Sequence, residues 1–193
     1  MMSQMQIYNF QVTTRDIEGL TDARGDSVKS MLESDYSVSV NNVRVILGYQ
    51  VKSNISMEDA NQAIYDLFAD PVIEIGTLEK PLLDNKKLFP NSPQIAITVG
   101  FKPGVTDNAG QAGLDGLRTI FPHTSTTSQV ATTMTYLFWG VPAEVSSSWL
   151  SSKLHNQMIE RSSISDTNAC FESKWPTLDF PERPKLTQKP SQT

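Results

Sequence analysis

Two short stretches of this chain repeat one another. Val105-Thr106-Asp107-Asn108-Ala109-Gly110 is matched by Leu20-Thr21-Asp22-Ala23-Arg24-Gly25 at a spacing of 85 residues (106 − 21). That spacing is long for a solenoid repeat and right for a duplicated small domain. A second pair registers at nearly the same offset: Leu67-Phe68-Ala69-Asp70-Pro71-Val72-Ile73-Glu74 falls on Lys153-Leu154-His155-Asn156-Gln157-Met158-Ile159-Glu160, 86 positions later (153 − 67). Phe68 then lies on Leu154 and Ile64 on Leu150. The chain reads as two copies of one unit.

Each unit reads βαβαβ. Residues 6–13 alternate around Ile7, Phe10 and Val12 and predict a half-buried strand. Thr21 or Asp22 caps a helix striped by Val28, Met31 and Leu32. Val43, Val45 and Leu47 then share one face of a long strand through Val51, with Gly48 a candidate bulge. Ser56 caps a second helix, with Asp59 three residues on and a buried face of Ala60, Ile64, Leu67 and Phe68. Asp70-Pro71 ends it, because the residue before proline avoids the helical region. Val72, Ile73, Ile75 and Leu78 predict a third strand.

After a proline-containing stretch, residues 80–93, the pattern restarts. Ile95, Ile97, Val99 and Phe101 alternate as a strand. Pro103-Gly104 turns the chain, Thr106 or Asp107 caps a helix, and Leu114, Leu117, Ile120 and Phe121 form its apolar face. His123–Thr133 is Ser/Thr-rich and reads as an enlarged loop before a strand over Met134–Trp139. Ser146 or Ser147 caps a helix carrying Leu150, Leu154 and Met158, followed by a weak strand at Ser162–Ser165. The expected organisation is a first unit over 1–85, a linker over 86–93, a second unit over 94–168 and an extended proline-rich tail over 169–193.

Composition narrows the function. The net charge of −5 is uneven, with 8 basic and 13 acidic residues in 1–89 against 8 and 8 in 90–193. No basic face emerges, which argues against a nucleic-acid partner that tracks phosphates. No apolar run approaches the roughly 20 residues of a membrane span, and the start lacks the pattern of a signal peptide. The single cysteine, Cys170, forms no internal disulfide and fits a reducing cytoplasm. Asn54-Ile55-Ser56 and Arg24-Gly25-Asp26 match glycosylation and adhesion patterns only as strings.

A catalytic constellation does not emerge. Cys170 has no glycine elbow, and His123 and His155 with one cysteine make no zinc signature. His155 falls near a helix C-terminus, where positive charge is favourable. No phosphate loop of the Walker type and no Gly-x-Gly-x-x-Gly is present. Gly104, Gly110 and Gly113 lie near a helix start that could hold an anion, but Gly25 and Gly110 are better read as letting the helix lie close to its sheet. Trp139, Trp149 and Trp175 are not spaced as a stacking platform.

The order of elements, with Lys102-Pro103-Gly104-Val105-Thr106-Asp107-Asn108-Ala109-Gly110, resembles the PurS-type small subunit of phosphoribosylformylglycinamidine synthase, where a KPGVxDxxG stretch joins the first strand to the first helix. Asn42-Val43-Arg44-Val45 resembles the family's second strand, and Phe68-Ala69-Asp70-Pro71-Val72-Ile73-Glu74 its helix end. The first unit keeps only Asp22 and Gly25 of the joint and lacks the Lys-Pro-Gly-Val part. The resemblance covers about residues 5–165.

It implies an α+β fold of two tandem βαβαβ PurS-like units, forming an intramolecular pseudo-dimer of sheets covered by helices. It also implies a non-catalytic role in purine biosynthesis, bridging a PurL-type synthetase and a PurQ-type glutaminase and supporting ammonia transfer. ATP, Mg and glutamine are then expected on the partner domains and no cofactor in this chain, and a homodimer is compatible with the reading. The implied structural joint of each unit is Thr21, Asp22 and Gly25 in the first and Lys102, Pro103, Gly104, Thr106, Asp107 and Gly110 in the second. The alternative is a tandem α+β regulatory module binding a small metabolite; a scaffolding protein that borrowed the fold is a third reading, since one architecture hosts many functions.

Overall fold

Alternating apolar residues build six strands and helical spacing builds four helices. The computed structural model describes residues 4–166 and 178–182. Cys170, Trp175 and the expected tail lie outside the described residues, apart from 178–182. The elements run β1 (Gln6–Thr14), α1 (Ala23–Tyr36), β2 (Asn42–Ser53), α2 (Met57–Ala63), β3 (Glu74–Leu78), β4 (Ile95–Phe101), α3 (Asn108–Ile120), β5 (Gln129–Trp139), α4 (Ser147–Leu154) and β6 (Glu160–Asp166). The fold is α+β. All six strands join one antiparallel sheet in the order β3-β1-β2-β5-β4-β6.

The register repeats between halves. Phe10 pairs with Leu78 and Thr14 with Glu74, as Ile97 pairs with Ile164 and Phe101 with Glu160. Val12 pairs with Leu47, as Val99 pairs with Met134. At the centre, β2 and β5 pair along eleven residues, from Asn42 opposite Trp139 to Lys52 opposite Gln129. Every backbone group shared there is satisfied within the sheet, which is why the two halves cannot separate without exposing a long ladder.

Strand period two divides the core between the faces. On one face Tyr8, Phe10, Val12 and Val51 meet Ala60, Ile64 and Phe68, and also Leu117 and Phe121 of α3. On the same face Leu32 of α1 joins Val43, Ile95, Ile97, Val99, Phe138 and Leu150. The first helix of each half thus shares its core cluster with strand residues of the other half. Burying a side chain such as Phe10 or Leu117 contributes about 1.5–3 kcal/mol, so these crossed contacts couple the halves strongly.

The opposite face is covered by the stretch expected to be a linker. Leu82, Leu83, Leu88 and Phe89 are buried there over Ile46, Ala96 and Leu137, while Lys86, Lys87, Pro90, Asn91 and Ser92 are exposed. Gln11 Oε1 accepts from Leu82 N at 2.7 Å and ties this cover to β1.

Several boundaries differ from the expectations. Gly48 is no bulge: it pairs in register with Gln11 and Thr133 on its two sides. Its Cβ would lie 2.2 Å from Thr133 Oγ1, so its lack of a side chain serves close packing. Val72 and Ile73 precede β3 in a turn and are exposed. Asp70 makes that turn, its carboxylate accepting from Val72 N. Met158 is likewise beyond α4 and exposed. The enlarged loop is shorter than expected, because β5 starts at Gln129, where its polar residues gain a full ladder with β2. The second helix changes character near its end: residues Ile64–Phe68 widen to π geometry before Ala69 leaves the helix.

Candidate functional site

The joint predicted in each unit is built from the same hydrogen bonds. Asp22, not Thr21, is the N-cap of α1: its Oδ1 accepts from Gly25 N at 3.2 Å, and its Oδ2 from Val45 N at 2.7 Å. Asp107, not Thr106, is the N-cap of α3: its Oδ1 accepts from Gly110 N at 2.7 Å, and its Oδ2 from Thr132 N at 2.6 Å. One carboxylate therefore caps a helix and pins the neighbouring strand. A Cβ on Gly25 would lie 2.1 Å from Val43 O, and one on Gly110 2.5 Å from Val130 O. Only glycine permits that approach, as expected from the sequence.

The turn before the cap is also kept, which the sequence comparison missed. Gly104 has φ +86° and Gly19 has φ +81°, a region that L side chains rarely adopt. Arg15 N donates to Ile73 O at 2.9 Å and Lys102 N to Ile159 O at 2.9 Å, so Arg15 stands where Lys102 stands. The first joint therefore takes seven steps from that residue to its cap (22 − 15) where the second takes five (107 − 102); the extra two lie before Gly19, which stands three residues ahead of its cap as Gly104 does (22 − 19 and 107 − 104). Pro103 is exposed in the turn between Lys102 and Gly104. The helix-end turns match too. Asp70 N donates to Glu74 Oε2 and Glu74 N to Asp70 O, as Asn156 N donates to Glu160 Oε2 and Glu160 N to Asn156 O.

The joints differ in what lies beside the carboxylate. In the first, Arg44 Nε is 3.6 Å from Asp22 Oδ2, Arg44 Nη2 donates to Thr14 O at 2.6 Å, and the guanidinium stands 5.6 Å from the Phe89 ring. In the second, the position of Arg44 on the strand is Ala131, and Thr132 Oγ1 donates to Asp107 Oδ2 at 2.9 Å. There a cleft of about 930 Å³ opens, lined by Asp107, Gly110, Gln50, Phe101 and Ala131 and flanked by residues Leu178, Phe180 and Pro181.

Lys102, Arg118 and Arg161 stand on the cleft wall. Each donates to a main-chain carbonyl: Lys102 Nζ to Gln157 O at 2.5 Å, Arg118 Nη2 to Thr126 O at 3.0 Å, and Arg161 Nε to Phe101 O at 3.3 Å. The second Arg161 nitrogen donates to Asp179 O. Gln50 Nε2 donates to Leu178 O at 2.9 Å, and Lys52 pairs with Glu182, so residues 178–182 lie along the sheet face as a strap.

Elsewhere Asp59, His123 and His155 make local structural contacts. Ser56 and Asp59 form a reciprocal capping box at α2. The hydrogen bond from the Ser56 backbone holds the Asp59 carboxyl below its ordinary range, assisted by His123 Nε2 at 3.1 Å. His155 ends α4, with Nδ1 2.6 Å from Ser151 O. Among the described residues no group of three or more His, Cys, Asp or Glu could hold a metal, and no helix is long and apolar enough to cross a membrane. Trp139 stacks on Phe89, and Trp149 meets Tyr36 edge-on.

No protein-family model matches this chain, and no curated protein matches it.

Proposed function

We propose that the chain is a non-catalytic PurS-like bridging component of a glutamine-dependent phosphoribosylformylglycinamidine synthase, its two units forming one intramolecular pseudo-dimer. The observation that carries this reading is the doubled joint: Asp22 and Asp107 each cap a helix and pin the adjacent strand through corresponding atoms. The strand order supports the same reading, since β3-β1-β2 is answered by β6-β4-β5. In the PurS-type family two separate subunits pair, and here a covalent link would hold the partner at high effective concentration. Divergence between the halves, above all Arg44 against Ala131, suits surfaces that face different partners. Purified chain mixed with PurL-type synthetase and PurQ-type glutaminase, with glutamine and Mg-ADP present, should enter a common complex. A chain that stays alone under those conditions contradicts the role.

A second reading, a tandem α+β module binding a small metabolite, is favoured by one observation. A cleft of about 930 Å³ opens beside the second joint, whereas at the first joint Arg44 stands beside the corresponding carboxylate.

A further inference from the structure

We propose that the cleft beside Asp107 is a binding site for a guanidinium group, carried by a small guanidino carboxylic acid, a zwitterion of no net charge. The first joint supplies the template. There the chain's own Arg44 reaches between strand and helix to the Asp22 carboxylate and the Thr14 carbonyl. Register places Phe101 where Thr14 is, because Thr14 pairs with Glu74 as Phe101 pairs with Glu160. Main-chain donation to the carboxylate places Thr132 where Val45 is, and hence Ala131 where Arg44 is. The second joint keeps the carboxylate and the carbonyl and replaces the long cation by a methyl group.

A second observation points to the same chemistry. Gln50 Oε1 is buried and accepts no hydrogen bond among the described residues. Its amide cannot be turned over without setting two oxygens together, because Nε2 donates to Leu178 O. A buried acceptor without a donor is costly, and Gln50 lines this cleft. Asp107 takes part in no ion pair among the described residues. Its carboxylate, which also accepts from Gly110 N, Thr132 N and Thr132 Oγ1, the Phe101 carbonyl and Gln50 Oε1 belong to residues lining one cleft, and such acceptors suit a planar, donor-rich cation.

The wall also selects against a bare cation. Arg161 already donates to Phe101 O, and with Lys102 and Arg118 it places positive charge around the opening. A lone guanidinium ion would be repelled there. A ligand whose guanidinium is joined to a carboxylate satisfies both sets, the cation toward Asp107 and the acid toward the wall. The cleft is within the size range of small-molecule sites.

The test is a titration of the full chain with 4-guanidinobutyrate, read at the backbone amide resonances of Gly110 and Thr132. The expected result is a saturable shift at both. Ala131→Arg, which supplies the side chain from within, should weaken it at least tenfold. Gln50→Met, a milder change, should also weaken it, and circular dichroism establishes that each variant is folded. Guanidinium chloride should not reproduce the saturation at equal concentration. Absence of a saturable shift in the native chain, saturation that survives both substitutions, or equal binding of guanidinium chloride would overturn the proposal. The bridging role would stand in each case, since it does not depend on this cleft.

Discussion

Leu47 and Met134 lie directly opposite each other on neighbouring strands of the sheet. Each also pairs outward with the corresponding residue of its own half, Leu47 with Val12 and Met134 with Val99. They are 87 positions apart (134 − 47), the separation of Val12 from Val99 (99 − 12). The pair marks the point about which strand pairing repeats, and residues on either side should respond in matched fashion to matched changes.

The glycines at the helix starts make the sharpest comparison. Gly25→Ala and Gly110→Ala each drive a Cβ into a strand carbonyl, at 2.1 Å from Val43 O and 2.5 Å from Val130 O. Backbone cannot yield as a side-chain tip can, so each should destabilise by about 1–3 kcal/mol. Gly113→Ala meets only Phe68 and Val130 side chains at 3.4 and 3.5 Å. There the helical preference for alanine should leave stability unchanged or raised by about 0.5–1 kcal/mol. Urea midpoints of the three variants decide it; equal losses in all three would refute the close-packing account.

The two caps should differ in the cost of losing charge. Asn keeps one of the two backbone hydrogen bonds at either position and loses the other at both. Asp22→Asn, however, leaves the mostly buried Arg44 without its carboxylate, whereas Asp107→Asn removes no ion pair among the described residues. Asp22→Asn should therefore be the more damaging by about 1–3 kcal/mol. Denaturation of both variants in one buffer reads the difference, and a larger loss for Asp107→Asn would contradict the assignment of Arg44 to the first joint.

Most of this scaffold is readable in the sequence because its causes are local. Asp22, Ser56, Asp107 and Ser146 cap helices within three residues of themselves, and alternation in β1 and β4 reports burial directly. What escapes is set by distant partners. Gln129–Thr133 looks like loop, but β2 supplies its ladder. Leu82, Leu83, Leu88 and Phe89 are interrupted by polar residues in a stretch that also holds prolines, yet they cover the far face. Gly19 falls on Gly104 at the offset of the repeat (104 − 19 = 85), but two extra residues ahead of it and the lack of a preceding Lys-Pro remove the sequence mark of the turn. Ala131 stands at the second joint where Arg44 stands at the first, a difference that means nothing until the strand contacts align the two.

Asp59 gives a pH prediction. Its carboxyl lies below the ordinary value in the folded chain, chiefly through the Ser56 backbone hydrogen bond. A depressed folded value adds stability that is fully present above the unfolded value and is lost as pH falls through the folded one. Native protein should therefore exceed Asp59→Asn in stability by a constant amount at neutral pH, and the gap should close below about pH 4. Melting temperatures of both proteins between pH 7 and pH 3 test this. A gap that persists unchanged at pH 3 would show that the Asp59 charge is not what the cap uses.

The strap makes a further prediction. Gly100 receives Leu178, whose Cδ1 lies 3.0 Å from where a Cβ would stand. Gly100→Val should displace residues 178–182 and accelerate proteolysis near Phe180 several-fold. Val99 and Phe101, paired to β6, keep the strand in place, so far-ultraviolet circular dichroism should not change. Unaltered proteolysis would mean that the strap is not held by that contact.

The bridging account rests on one chain standing where two single-unit subunits would pair. Mass measurement of the complex formed with PurL-type synthetase, PurQ-type glutaminase, glutamine and Mg-ADP tests it most directly. The account predicts one copy of this chain in place of each subunit pair. A mixture in which this chain sediments alone, or in which two copies fill the place of one pair, would contradict it.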